Sequence, residues 1–211
     1  METSTQKDLY KKHQSLIDRH KREMKKSLSE YLQINDEGIE EIFSAIHFKC
    51  YEGSAVLVEP GEVYNDCCLI LKGCVRQYHL HDGEEKTTFF FTEDQWFGSY
   101  YSSKNNKSVQ YYLVCVEDTV LAVMNLDTEY ELFKKYPEFE SACRTGVEEQ
   151  LEKYQELLIS FMNSTPMQRY KNVLKNRPDL LQRVPQYQLA SYLGITPESL
   201  SRIRKRMSST K

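Results

Sequence analysis

The sequence predicts an α+β chain: a small β-roll with flanking helices, then one long helix, then a short basic helical domain. Three observations carry that expectation. Residues from about 49 to 124 form short β-branched and aromatic runs separated by turn chemistry. After Pro137 the apolar period becomes helical, and the positive charge collects at the carboxyl end. With 211 residues, 40% of them apolar and 28% charged, the chain has the balance of a globular protein and room for two cores. The expected divisions are 1–27 (a basic helical extension), 28–136 (the roll), 137–163 (the long helix) and 164–211 (the basic domain).

The first residues lack the apolar core of a secretory signal, and no later run approaches the length of a membrane span, so the reading is a cytoplasmic protein with no membrane contact. Residues 7–33 carry Leu9, Leu16, Ile17, Met24, Leu28 and Leu32 along roughly one helical face amid many Lys and Arg. That pattern fits an amphipathic helix packed on the main domain, with a second nucleic-acid contact as the alternative. The six cysteines (Cys50, Cys67, Cys68, Cys74, Cys115 and Cys143) show no C-x-x-C spacing and read as buried, reduced thiols.

Within the roll, residues 55–58 precede Pro60-Gly61, residues 68–71 precede Lys72-Gly73, and residues 75–81 precede Asp82-Gly83. Asp-Gly between two such runs is a hairpin signal, because both turn positions need positive φ. Residues 86–91 return from that hairpin, and residues 110–116 and 120–124 complete the set. Short strands at this spacing predict a double-stranded β-helix, a cupin-like jelly roll.

Val147, Leu151, Tyr154, Leu158 and Phe161 then alternate at spacings of four and three, with glutamates between them. Such a seam predicts a helix that pairs with its twin in a homodimer. Asn163 and Ser164 make a hinge, and Thr165-Pro166 supplies an N-cap and a proline at the first helical position.

From residue 164 onward, ten basic residues stand against two acidic ones, so this segment carries +8 and leaves −11 on the rest of a chain whose total is −3. Charge concentrated in this way suits a phosphate backbone. In residues 185–193, Leu189, Ala190 and Leu193 face inward, Gly194 stands where a helix needs a left-handed residue, and Thr196-Pro197-Glu198 opens a second helix. Helix, glycine turn, helix is the geometry that seats a recognition helix in the major groove. Leu200 and Ile203 form its inner face, which leaves Glu198, Ser199, Ser201 and Arg202 as candidate base readers. Lys171, Lys175, Thr196, Arg204, Lys205 and Arg206 are the candidate phosphate contacts.

The order of these parts resembles the cyclic-AMP receptor and fumarate-nitrate-reduction (CRP/FNR) superfamily over roughly residues 28–207. Glu59-Pro60-Gly61-Glu62, residues 69–76, residues 116–119 and residues 189–202 carry the resemblance, the last block being similar to Bacteroidetes-type variants. Glu198, Ser201 and Arg202 match the Glu-x-x-Ser-Arg motif of the fumarate-nitrate branch. The resemblance implies a homodimer reading double-stranded DNA at a near-palindrome of TTGA-like half-sites, with RNA polymerase and a small-molecule effector as partners. It also implies an effector pocket along Phe97, Gly98, Ser99, Tyr100, Val109 and Gln110. Here the sequence departs from cyclic-nucleotide binders: Ser99 stands where they carry glutamate, and no arginine lies between Arg76 and Arg144. A lysine does not replace a bidentate guanidinium, so tight cyclic-AMP binding is not expected and the effector is unidentified. Cofactors are expected to be none.

A competing reading comes from Gly73, His79, His81 and Glu85, whose spacing is close to a cupin metal motif. Under it the chain is a small-ligand or metal-binding protein whose terminal domain mediates protein contacts. No second cupin motif follows, and the polar pair sits beside an ordinary Asp-Gly turn, so His79, His81 and Glu85 stay a weak metal candidate. No nucleophile constellation or phosphate-cradling glycine loop is present, and the sequence predicts no enzyme.

Overall fold

The computed structural model describes residues 4–98 and 100–208. Its elements are α1 (Ser4–Tyr31), α2 (Asp36–Ser44), β1 (His47–Tyr51), β2 (Val56–Val58), β3 (Asp66–Lys72), β4 (Val75–His81), β5 (Glu84–Phe91), β6 (Trp96–Gly98), α3 (Tyr100–Asn105), β7 (Tyr112–Cys115) and β8 (Thr119–Asn125). The helices α4 (Leu126–Lys135), α5 (Pro137–Asn163), α6 (Pro166–Asn176), α7 (Leu180–Arg183), α8 (Gln186–Tyr192) and α9 (Pro197–Ser208) follow.

The strands form two antiparallel four-stranded sheets, ordered β1-β8-β3-β6 and β2-β7-β4-β5. Between them lies one core of Val58, Tyr64, Cys68, Ile70, Val75, Phe91, Phe97, Leu113, Leu121 and Val123. The apolar run Val120 to Met124 is buried throughout because β8 is covered on both faces. Leu121 and Val123 point into the roll, while Val120 and Ala122 pack outward against Leu9 and Ile17 of α1. Helix α1 runs unbroken through the division expected near residue 27, and Ile17 is fully buried, so the extension is packed as part of the roll.

Local turn chemistry places the strands. Asp82 and Gly83 both take positive φ, 52° and 77°, and join β4 to β5. Gly73 turns β3 into β4 at φ 111°, and a Cβ there would come within 2.4 Å of the Thr119 hydroxyl oxygen, so glycine is required. The cysteines are thiols, five buried and Cys143 half-buried, and burial pushes Cys68 and Cys74 up to about 12.

The carboxyl-terminal helices have their own core of Tyr170, Val173, Leu180, Val184, Leu189, Ala190, Leu193 and Leu200, which continues onto Cys74 and Phe90 on the outside of the second sheet. Helix α8 lies along β5, the last strand of that sheet. The Ser191 hydroxyl donates to the Glu85 carbonyl (2.8 Å) and accepts from the Thr87 N–H (2.9 Å). An edge strand's spare backbone groups are thereby covered.

Candidate nucleic-acid interface

Two short helices and the turn between them build the site. Leu189 and Ala190 bury one side of α8, and the turn closes when the Ile195 N–H reaches back to the Ala190 carbonyl (3.0 Å). That closure needs a left-handed residue, which Gly194 supplies at φ 66°. Thr196 then caps α9, its hydroxyl accepting from the Ser199 N–H at 3.3 Å. Leu200, 1% exposed, locks α9 onto the core.

With Leu200 inward, Glu198, Ser201, Arg202 and Lys205 share the exposed face of α9. Ser199 lies to the side, half-buried, with its hydroxyl against that of Thr196 (3.3 Å). Its geometry is that of a helix start rather than a base reader, and the Thr196 hydroxyl is engaged in the same cap. The Glu198 carboxyl is held below its ordinary range by its own backbone N–H, the Thr196 hydroxyl and the Arg202 charge, so it is an acceptor at neutral pH.

The basic residues differ in exposure and in what holds them. Lys171, Lys175, Lys205 and Arg206 are exposed. Arg204 donates to the Gln186 side chain (2.5 Å), which braces α9 against the start of α8. Arg177 donates to the Thr92 hydroxyl (3.0 Å) and the Phe90 carbonyl (3.4 Å). Arg183 forks onto Glu93 (2.7 and 2.9 Å) and donates through Nε to Glu117 (2.9 Å). Burial pushes the Glu93 carboxyl up, but hydrogen bonds from Arg183 and the Gly73 N–H outweigh it and hold it below the usual carboxylate range. Sequence reasoning missed this clamp, because its partners lie 66 to 90 residues away and leave no local signal.

The predicted seam of α5 is shared between two duties. Val147, Leu151 and Leu158 are exposed, 47%, 55% and 60%, and Met162 extends their stripe. Tyr154 instead packs on Phe89 of the roll, with ring centroids 4.9 Å apart, and accepts from Gln150 (2.6 Å). Phe161 turns toward Arg169 and Gly194. The stripe left open thus runs Val147, Leu151, Leu158, Met162.

Along the expected effector stretch, Phe97 and Val109 belong to the roll's core rather than to an open pocket. Gly98 is exposed, but a Cβ on it would meet the Asp66 carbonyl at 3.0 Å. Gln110 is exposed, and its carbonyl accepts from His79 Nδ1 (2.9 Å). Ser99 lies outside the described residues, as does the side chain of Tyr100. A cleft of about 610 Å³ opens elsewhere, between Gly53, Lys72, Glu93, Glu117, Asp118 and Arg183.

The weak metal candidate does not assemble. Leu80 pairs with Glu85 across the hairpin, whereas His79 pairs with Lys86 and His81 with Glu84. Residues paired directly across a ladder share a face, so Glu85 projects opposite to the two histidines. Its carboxylate is bound to Arg76 at 2.5 Å. Among the described residues, no group of three or more His, Cys, Asp or Glu side chains is placed to hold a metal ion.

Residues 48–136 match the cyclic nucleotide-binding domain family. No curated protein matches the chain by sequence. Among solved structures, FixK2 from Bradyrhizobium japonicum superposes with a TM-score of 0.68 at 16% identity, over 78% of this chain and 85% of that one. A CooA mutant from Carboxydothermus hydrogenoformans gives 0.61 at 15% identity, over 80% and 79%. The c-di-GMP-responsive global regulator CLP of Xanthomonas campestris gives 0.61 at 15% identity, over 83% and 93%. No helix among the described residues is long and apolar enough to cross a membrane.

Proposed function

We propose that this chain, which carries a cyclic nucleotide-binding domain within the fold of CRP/FNR-type regulators, is a sequence-specific DNA-binding transcription regulator. One observation carries the reading: α9 buries Leu200 and leaves Glu198, Ser201 and Arg202 together on its exposed side, one turn from a capped amino terminus. The first residues of such a helix reach base edges. Glu198 accepts from cytosine N4, and Arg202 donates to O6 and N7 of guanine, so one G·C pair of a TTGA-like half-site satisfies both. Lys171, Lys175, Lys205 and Arg206 supply phosphate contacts that position without specifying.

Two copies pair through the Val147, Leu151, Leu158 and Met162 stripe and read a near-palindrome. An unidentified small-molecule effector acts on the roll by favouring one arrangement of the two heads, and RNA polymerase is the downstream partner in the cytoplasm. The direct test is selection from random duplex DNA at moderate salt, with and without cell extract. Enrichment of a two-fold site with half-sites one helical turn apart is the expected result; failure to enrich any such site in either condition removes the reading.

A further inference from the structure

Within the basic domain, Arg169 sits in the first turns of α6 and by charge alone counts toward DNA binding. Its guanidinium is hydrogen-bonded to three carbonyls of the chain. Nε donates to the Leu193 carbonyl at 2.9 Å, and Nη1 donates to the carbonyls of Ser164 (2.8 Å) and Phe161 (3.4 Å). The guanidinium also lies over the Phe161 ring, 4.3 Å from its centroid. One side chain therefore ties together the last turn of the long helix, the hinge, and the turn that leads into α9.

We propose that Arg169 is a positioning residue, setting the angle between the dimer helix and the recognition helix and so the spacing at which two copies read DNA. This rests on the two-fold DNA-binding reading above. The chemistry at each end is specific. The Phe161 and Ser164 carbonyls stand at the open carboxyl end of α5, where helix carbonyls lack partners and a cation is favoured. Leu193 is the last residue before Gly194, so its carbonyl marks the pivot between α8 and α9. The ring of Phe161 approaches to 3.1 Å from where a Gly194 Cβ would stand, so the long helix bears directly on that pivot. Only a planar fork stacks on a ring while donating in several directions; a lysine ammonium does not. The α5–α6 join is Ser164 and Thr165, and beside Arg169 a long hydrogen bond from Asn172 on α6 to the Ser160 hydroxyl on α5 (3.4 Å) also crosses it; two residues of extended backbone by themselves fix no angle.

The consequence is particular. Loosening Arg169 leaves Glu198, Ser201 and Arg202 free to read a half-site but relaxes how strictly two half-sites must be spaced, because two heads reach one face of the duplex only at a defined separation. The experiment uses full-length Arg169→Met, Arg169→Lys and Phe161→Leu on duplexes carrying the selected half-sites at a series of centre-to-centre spacings, each titrated with salt. All three variants are expected to lose at least fivefold of the wild-type discrimination between the best spacing and one two base pairs longer. The slope of log affinity against log salt stays unchanged, since no phosphate contact is lost. A slope shallower by about one in Arg169→Met and restored in Arg169→Lys would make Arg169 a phosphate ligand and overturn the proposal. Full discrimination retained by the variants overturns it also. Phe161→Leu leaves every charge in place, so it decides the matter if the arginine variants do not fold. Wild-type protein indifferent to spacing overturns the two-fold reading itself and this role with it.

Discussion

The β-roll and the carboxyl-terminal domain use the same side chain for opposite ends. In the roll, Arg76 is 3% exposed, with its Nε on the Thr87 hydroxyl (2.9 Å), Nη1 on Glu85 and its guanidinium over the Tyr78 ring. In α9, Arg202 is exposed on the outward face, beside the Glu198 carboxylate. Buried and fully partnered, an arginine is structure; exposed on a rigid helix beside an acceptor, it is available to a ligand. The same division runs through the +8 of the terminal domain. Arg169, Arg177, Arg183 and Arg204 hydrogen-bond within the protein, while Lys171, Lys175, Arg202, Lys205 and Arg206 are exposed. Net charge counts all of these alike, whereas the first four are each bonded within the chain.

The largest effect should come from removing the support beneath the outward face. Leu189 is fully buried and Leu200 is 1% exposed, so Leu189→Ala or Leu200→Ala should cost about 2–5 kcal/mol in urea unfolding. Sequence-specific DNA binding should fall with it. If either variant unfolds at the wild-type midpoint, α8 and α9 do not share the core described.

Next comes the distinction between reading and gripping. Arg202→Ala should cost about 1–3 kcal/mol at one base position and relax selectivity there, whereas Lys205→Ala should weaken all sequences alike and flatten the salt slope by about one. Equal losses on specific and random DNA for Arg202→Ala would place the recognition face elsewhere on the domain.

How far the sequence could be read follows the range of each signal. Gly194, Thr196-Pro197, Thr165-Pro166 and Asp82-Gly83 act over four residues or fewer, and each turn or cap appears in the structure where it was read. The strands β1 and β6 were missed. β6 is only Trp96, Phe97 and Gly98, too short to show alternation, and its place depends on pairing with Cys67, Cys68 and Leu69. Helix α2 was missed because Gly38 interrupts its propensity; the glycine is there because Tyr136 and Ile34 leave no room for a side chain. The α5 seam was legible as an apolar stripe, but its division among the roll, the hinge and an open face depends on Phe89 and Arg169, which are distant or on another helix. On α9, periodicity placed Leu200 inward and Glu198 outward, as the structure has them, and could not tell that Ser199 is drawn into the cap.

A smaller effect belongs to the clamp between the two regions. The Glu93 carboxyl is held below its ordinary 4.5 in the folded chain. Its contribution is therefore full above that value and is lost as pH falls through the folded one, because the unfolded chain takes the proton first. Glu93 is 39% exposed in its side chain, so solvent screening keeps the contribution to about 1 kcal/mol or less. Thermal unfolding at pH 6 and pH 4 should show wild type losing more stability than Glu93→Gln across that interval. An equal loss in both would mean that Arg183 is held by Glu117 and Asp179 without help from Glu93.

The smallest expected effect, none at all, tests the roll against a cyclic nucleotide, the ligand named in the description of the family model that residues 48–136 match. Phe97 and Val109 are built into the core, and the stretch between them offers lysines but no arginine fork for a cyclic phosphate. Added at about 1 mM, cyclic AMP should leave the unfolding midpoint where it is. A ligand present at a hundredfold its Kd stabilises by about 2.7 kcal/mol. For a chain of this size that is roughly 5–10 °C, well within detection. A rise of that order would require the Phe97 and Val109 region to open and a different side chain to take the phosphate. Arg76 is already committed to Glu85 and Thr87 on the outer side of the second sheet, so that charge would have to come from Lys104 or Lys107.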